Sequence, residues 1–203
     1  MNPCYSRSGF QKLFARSGAS YGAPMWKYRR RADWLMQTLE LDAGMTVMDL
    51  GCHDGRLLSL LPPELDRVGL DVDATVLARA GSAHPGIRFV RGDLDAADNT
   101  GSAQVVTLFH VLEHLRDPVG TLRRLHETSP PGTRLVVEVP VLGAARDADI
   151  NGFFSVHHLT HFTEHHLIEC VEAAGWRVTC LAREDAYNAV RLVAQTCGPR
   201  QPR

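Results

Sequence analysis

"VMDLGCHDGRLLSLLPPELDRVGLDVD", residues 47–73, opens on a β-type apolar run that carries Asp49, turns through Gly51 and Gly55, and closes on a second short apolar run that ends in Asp71. Such a run, a glycine turn and a helix-compatible "RLLSLL" before the next run read as strand, loop, helix, strand. The two glycines let the chain turn sharply and let a ligand approach the backbone closely. Asp71 follows Gly51 by twenty residues, the spacing at which a carboxylate accepts hydrogen bonds from a ribose. A cofactor that contains a nucleoside is implied.

Outward from this stretch the same alternation continues. Strand-like runs stand at 46–50, 67–71, 87–91 and 104–109, with helix-compatible stretches between the first three and an acidic loop, "DLDAADNTGSAQ", before the fourth. Parallel crossovers follow from strand, helix, strand order. Upstream, Trp26, Trp34, Leu35, Leu39 and Leu41 recur at roughly helical spacing among Lys27 and Arg29–Arg31, which predicts an amphipathic helix over 25–41. Downstream, residues 117–128 are a further helix candidate, and "SPPGT" turns the chain into a fifth strand, "RLVVEVP". Thr163 has the chemistry to cap a helix through "EHHLIECVEAA" that stops at Gly175, with Glu164 in its first turn. "WRVTCLARE" and "AVRLVAQTC" are too close together for a helical crossover and must pair antiparallel as an edge hairpin. The fold expected is a Rossmann-like α/β open sheet of about seven strands, mostly parallel, with helices on both faces. Residues 1–24, rich in Gly and Ser, read as a mobile arm, residues 25–197 as a single domain, and 198–203 as a disordered tail.

Composition narrows the function. A chain of 203 residues can bury roughly two-thirds of its unfolded surface without disulfide or metal staples. Its 22 basic and 23 acidic residues give a net charge of −1, so nucleic acid and anionic membrane are not expected as partners and a small-molecule substrate is. The five cysteines are scattered without a CxxC pair, no apolar run approaches the ~20 residues of a membrane span, and the N-terminus lacks a signal-peptide core. A cytoplasmic protein is expected; the oligomeric state is left open.

In an open α/β sheet the ligand lies beyond the carboxyl ends of the strands, at the switch in strand order. The loop there reads Gly51-Cys52-His53-Asp54-Gly55 rather than the G-x-G-x-x-G that cradles a pyrophosphate, and Asp49 and Asp54 would repel that group. Two carboxylates suit a cationic cofactor with an amino-acid tail.

At these residues the sequence resembles the class I S-adenosylmethionine-dependent methyltransferases. "VMDLGCHDG" is similar to their first motif, D/E-x-G-x-G-x-G, with His53 at the middle glycine. The resemblance continues through "GLDVD", "VRGDLD", "VVTLFHVLEHLRDP", "SPPGTRLVVEVP" and "HHLTHFTEHHLIECVEAAGW", in the family's order over roughly residues 45 to 180, and is nearest to the small-molecule enzymes. It implies S-adenosylmethionine as cofactor, with Asp71 as the ribose carboxylate, Asp93 as the adenine contact beside Leu94, and Asp49, Gly51, Cys52, Gly55, Val72, Phe109 and His110 completing the cofactor site. Cys52 contributes through its backbone and takes no catalytic role.

Seven of the ten histidines fall in "HVLEH" and "HHLTHFTEHH". A sulfonium methyl is already activated, so the protein must hold the acceptor in line and supply a base if the acceptor carries a proton. His161, ahead of His110, is the candidate base, and His114 is read as structural. The i, i+3, i+7 histidine spacing has zinc as its alternative, but no Cys or carboxylate ligand is interleaved, so no metal is expected. Neither the N/D-P-P-Y/F motif of amino-methylating enzymes nor the Pro-Cys pair of cytosine C5 enzymes is present. Methyl transfer to a small molecule is the expected function, with oxygen favoured over nitrogen or carbon. A nicotinamide-dependent oxidoreductase with an atypical loop and a non-catalytic cofactor-binding protein are the alternatives.

Overall fold

The computed structural model describes residues 23–94, 101–141 and 157–196. Seven strands form one sheet: β1 (Thr46–Leu50), β2 (Asp66–Asp71), β3 (Arg88–Arg91), β4 (Val105–Phe109), β5 (Arg134–Pro140), β6 (Trp176–Glu184) and β7 (Ala189–Thr196). Their spatial order is β3-β2-β1-β4-β5-β7-β6, parallel from β3 to β5, with β7 antiparallel to both β5 and β6. The expected edge hairpin is therefore present. Its closing strand β7 inserts between β5 and β6, which leaves β6 outermost. Residues 1–22 of the N-terminal arm, residues 95–100 of the acidic loop and the C-terminal tail lie outside the described residues.

Apolar β-branched runs on the central strands explain why both faces are covered: β4 is buried at every position and β5 at all but its ends. One face packs α1 (Met25–Thr38), α2 (Arg56–Ser59) and α3 (Ala74–Ala83) through Leu35, Leu57, Leu58 and Leu77 against Val105, Val136 and Val193. The other packs α4 (Pro118–Thr128) and α5 (Glu164–Ala173) through Leu122, Leu125, Leu167 and Val171. Thr163 caps α5 as expected, its hydroxyl accepting from the His166 amide at 3.2 Å. Asp73 and Asp117 cap α3 and α4 in the same manner.

Two elements differ from the expectation. The first helix ends at Thr38 rather than Leu41, because Leu39 turns to extended backbone and "LDAG" leads into β1. The helix after the glycine turn is a single turn, since Pro62 and Pro63 stop it almost at once. Among the described residues no helix is long and apolar enough to cross a membrane.

Candidate functional site

The strand order reverses between β1 and β4, and the loops that leave these two strands border a cleft of about 300 Å³. Asp49, Gly51, Cys52 and His53 line it from the β1 side, and Phe109 and His110 from the β4 side. Helix α1 closes its third side with Lys27, Tyr28 and Arg31.

The β1 loop is shaped by three left-handed positions, Gly51 (φ 78°), His53 (φ 49°) and Gly55 (φ 74°). A Cβ on Gly51 would stand 2.6 Å from Val111 Cγ2, and one on Gly55 would stand 2.5 Å from the Phe89 ring. Both glycines are thus required by backbone angle and by close packing. Asp71 fastens the loop to β2: one of its carboxylate oxygens accepts from the His53 amide and the other from the Asp73 amide, each at 3.0 Å. Each oxygen keeps a further lone pair for a ligand hydroxyl.

Asp49 is 4% exposed and accepts from the Thr107 hydroxyl at 2.6 Å. Burial, with the Asp71 charge adding to it, pushes its carboxyl up to about 7 against the opposing effects of Thr107 and Arg31. A buried carboxylate so poised gains from a cation brought into the cleft. Asp54 is different. Partial burial pushes it up, but His53 and Arg56, whose Nε lies 2.9 Å away, hold it below its ordinary range. It is neutralised by its own loop. The Cys52 thiol is buried, and burial together with the neighbouring Asp49 and Asp71 pushes it far above its ordinary value, so it is no nucleophile.

Of the sequence-predicted residues, Asp49, Gly51, Cys52, Phe109 and His110 meet at the cleft. Gly55 and Asp71 hold its loop. Val72, 45% exposed, follows β2, and Asp93 is exposed beyond β3, while Leu94 is buried in the core. The Gly92 amide donates to the Asp71 carbonyl at 3.0 Å and so draws the β3 end against the β2 end. His161 is exposed and absent from the cleft lining; its ring sits 6.3 Å from His158, which in turn lies 4.9 Å from His114.

Sequence reasoning missed the charges beneath the cleft. Glu138, wholly buried on β5, takes Arg31 Nε at 2.8 Å on one oxygen, and on the other Arg191 Nε at 2.5 Å and the Tyr187 hydroxyl at 2.8 Å. Arg191 also reaches Glu184 at 3.1 Å, and Glu184 is bidentate to Arg30 at 2.9 and 3.0 Å. Burial alone would push the Glu138 carboxyl up, yet His110, Arg31 and Arg191 hold it well below the usual range. The signal was available: one acid in "RLVVEVP" and one base in "AVRLVAQT" interrupt otherwise apolar strands, and in the sheet Glu138 and Arg191 stand opposite one another.

His110 lies between two acids, with Nδ1 3.2 Å from Glu113 and Nε2 3.2 Å from Glu138. Burial would push the imidazole down, but Glu113 and Glu138 outweigh it and hold His110 above its ordinary value. Glu113, His114 and His158 each bring one donor atom within 4.8 Å of the others. His114 Nδ1, however, is engaged with the His157 carbonyl at 2.9 Å, and the imidazoles of His110 and His114 hold the Glu113 carboxyl below its ordinary value despite burial.

The family model described as a methyltransferase domain matches residues 25–181, which takes in the cleft, its glycine turn and the histidine-rich segment. The chain belongs to this methyltransferase family. Among curated relatives of this chain, a Mycolicibacterium smegmatis protein named a probable S-adenosylmethionine-dependent methyltransferase is 29% identical over 141 residues, 67% of this chain and 53% of that one. A ubiquinone biosynthesis O-methyltransferase of Pseudomonas paraeruginosa is 31% identical over 109 residues, 50% of this chain and 47% of that one. The chain spans about half the length of these curated relatives. Its fold is also that of the solved mitomycin 7-O-methyltransferase, with a TM-score of 0.75 at 19% identity over 95% of this chain and 59% of that one.

Proposed function

We propose that this methyltransferase transfers the methyl group of S-adenosylmethionine to a small-molecule acceptor, with oxygen as the acceptor atom, in the cytoplasm. The observation that carries the reading is the pair of strand-end carboxylates on one glycine turn. Asp49 is buried at the cleft floor, where it accepts from the Thr107 hydroxyl, and Asp71 is fixed by two amides with lone pairs to spare. The residues fit the cofactor: Asp49 for its cationic amino-acid end, Asp71 for ribose hydroxyls, and the β2 and β3 ends, with Val72, Asp93 and Leu94, for the adenine. The cofactor supplies an activated methyl group. The chain supplies binding, alignment and exclusion of water, and His110 at the cleft is placed to take a proton from the acceptor. Oxygen is supported by the fit of histidine bases to hydroxyl acceptors and by the O-methyltransferase relative.

Calorimetric titration with S-adenosylmethionine, S-adenosylhomocysteine and NADH tests the cofactor. The first two are expected to bind and NADH is not; NADH binding alone would install the oxidoreductase reading. Replacing Asp71 with Ala is expected to weaken S-adenosylmethionine binding by about 1.5–3 kcal/mol, the range for hydrogen bonds to a charged group, with the fold intact. Wild-type affinity in that variant would remove Asp71 from the site.

No metal takes part in this reading. Dialysis against a strong chelator is expected to leave the melting temperature and cofactor affinity unchanged, whereas stoichiometric zinc in the purified protein would make the Glu113, His114 and His158 group a metal centre.

A further inference from the structure

His110 has a left-handed backbone, φ 55°, a conformation in which a non-glycine residue persists only where its surroundings over-determine it. Glu138 supplies two of the contacts that surround it. The His110 amide donates to the Glu138 carbonyl at 2.8 Å, and the Glu138 carboxylate lies 3.2 Å from the same histidine's Nε2. Glu138 therefore meets His110 twice from the strand next to β4, by a backbone hydrogen bond and by a carboxylate at ion-pairing distance from an Nε2 that has no hydrogen-bond partner.

The same carboxylate faces α1. Arg31 is 4% exposed and sits in the middle of the helix's inward face, with Tyr28, Ala32 and Leu35 as its buried neighbours. Its guanidinium lies 5.1 Å from the ring centroid of Phe109, the residue directly before His110, and its Nε donates to Glu138 at 2.8 Å. Apolar contacts alone would seat this helix. They do not require a buried arginine, whose desolvation is costly unless a partner answers it. Arg31 nonetheless projects to Glu138, one of the two acids that contact His110, and Arg191 and Tyr187 engage the remaining oxygen.

We propose that Glu138 is a positioning residue of the methyl-transfer site: one buried carboxylate sets the placement of His110 and the seating of helix α1 over the cleft, and so couples the two. This goes beyond the proposed activity and rests on it only in taking the cleft as the place of methyl transfer. The charged and titratable groups in contact with the His110 ring are Glu113 from the following turn, Glu138 from β5 and Tyr187, with its ring 6.2 Å away, from the β6–β7 turn; Lys27, Tyr28 and Arg31 of α1 and Asp49, Cys52 and His53 of the β1 side share its cleft.

The test uses the full chain without cofactor, so it does not depend on the cofactor reading. In Glu138→Gln, the side-chain titration of His110 followed by NMR, assigned against His110→Asn, is expected to fall by about one pH unit or more, because an adjacent negative charge is lost. Amide exchange across residues 25–38 is expected to quicken at least about ten-fold as Arg31 loses its partner. Both changes together support the proposal. A wild-type value for either one overturns it. If Glu138→Gln is recovered unfolded, Glu138→Asp, which keeps the charge and withdraws it by one methylene, is measured instead. The same two directions of change are expected there, and wild-type behaviour in either overturns the coupling.

Discussion

Replacing Asp49 with Asn is expected to make the unliganded protein more stable and its cofactor site much weaker. The two effects have one cause. In the folded chain the Asp49 carboxyl is pushed up to about 7 from its ordinary 3.8, chiefly by burial. A group whose folded value is raised contributes stability that is fully present below its unfolded value and is lost as pH rises through the folded one. For Asp49 the window of loss therefore runs from about pH 4 to about pH 7. Above it the ionised carboxylate is held in the core at a cost of roughly 4 kcal/mol, since each pH unit between the folded and unfolded midpoints is worth about 1.4 kcal/mol. Asparagine can still accept from the Thr107 hydroxyl and carries no charge to desolvate. Thermal melts at about pH 8 are expected to show the variant more stable by roughly 2–4 kcal/mol, with the difference vanishing near pH 4. Calorimetry is expected to show S-adenosylmethionine binding weakened about 100-fold, since the cation has lost its buried counter-charge. In the wild type that affinity should climb as pH rises toward about 7 and then level off. A variant with unaltered melting and binding would sink the assignment.

That opposition between stability and binding is the reason the motif was readable. An acid inside an apolar strand, ahead of a glycine turn, has no stabilising role in a sheet, so its presence at Asp49 points to a ligand. The parallel strands were legible for a related reason. Their apolar runs are continuous and are separated by loops with strong turn chemistry, and "RLVVEVP" is the fifth strand to the residue. The hairpin was fixed by chain length alone. What the sequence did not disclose is contact between segments far apart in the chain. Arg31, Glu138 and Arg191 belong to three separate elements; Glu138 and Arg191 stand out in apolar strands, but their pairing with Arg31 is not visible in any one segment. Nor did spacing distinguish the histidines: His110 and His161 both follow strand-like or irregular segments, and only the turn after β4 brings one of them to the cleft.

His110 carries the second large effect. Once an acceptor is known, for instance from a co-purified ligand identified by mass spectrometry, His110→Asn is expected to lower kcat about 100-fold while S-adenosylmethionine affinity changes little. The geometry supplies the reason: His110 is the imidazole in the cleft lining that borders β4, whereas His161 is exposed and stands beside His158 away from it. The electrostatics add a pH signature. Although burial opposes it, the contacts with Glu113 and Glu138 hold the imidazole protonated to higher pH than an ordinary histidine. Only the neutral ring accepts a proton, so kcat for a hydroxyl acceptor is expected to rise with pH through that raised midpoint and to flatten above it. His110→Asn should remove the rise along with the rate. His161→Asn, measured beside it, is expected to keep both, and a loss of about 100-fold there with none at His110 would return the role of base to His161. If turnover survives in both variants, alignment of the acceptor is sufficient for transfer and the proton leaves by another route.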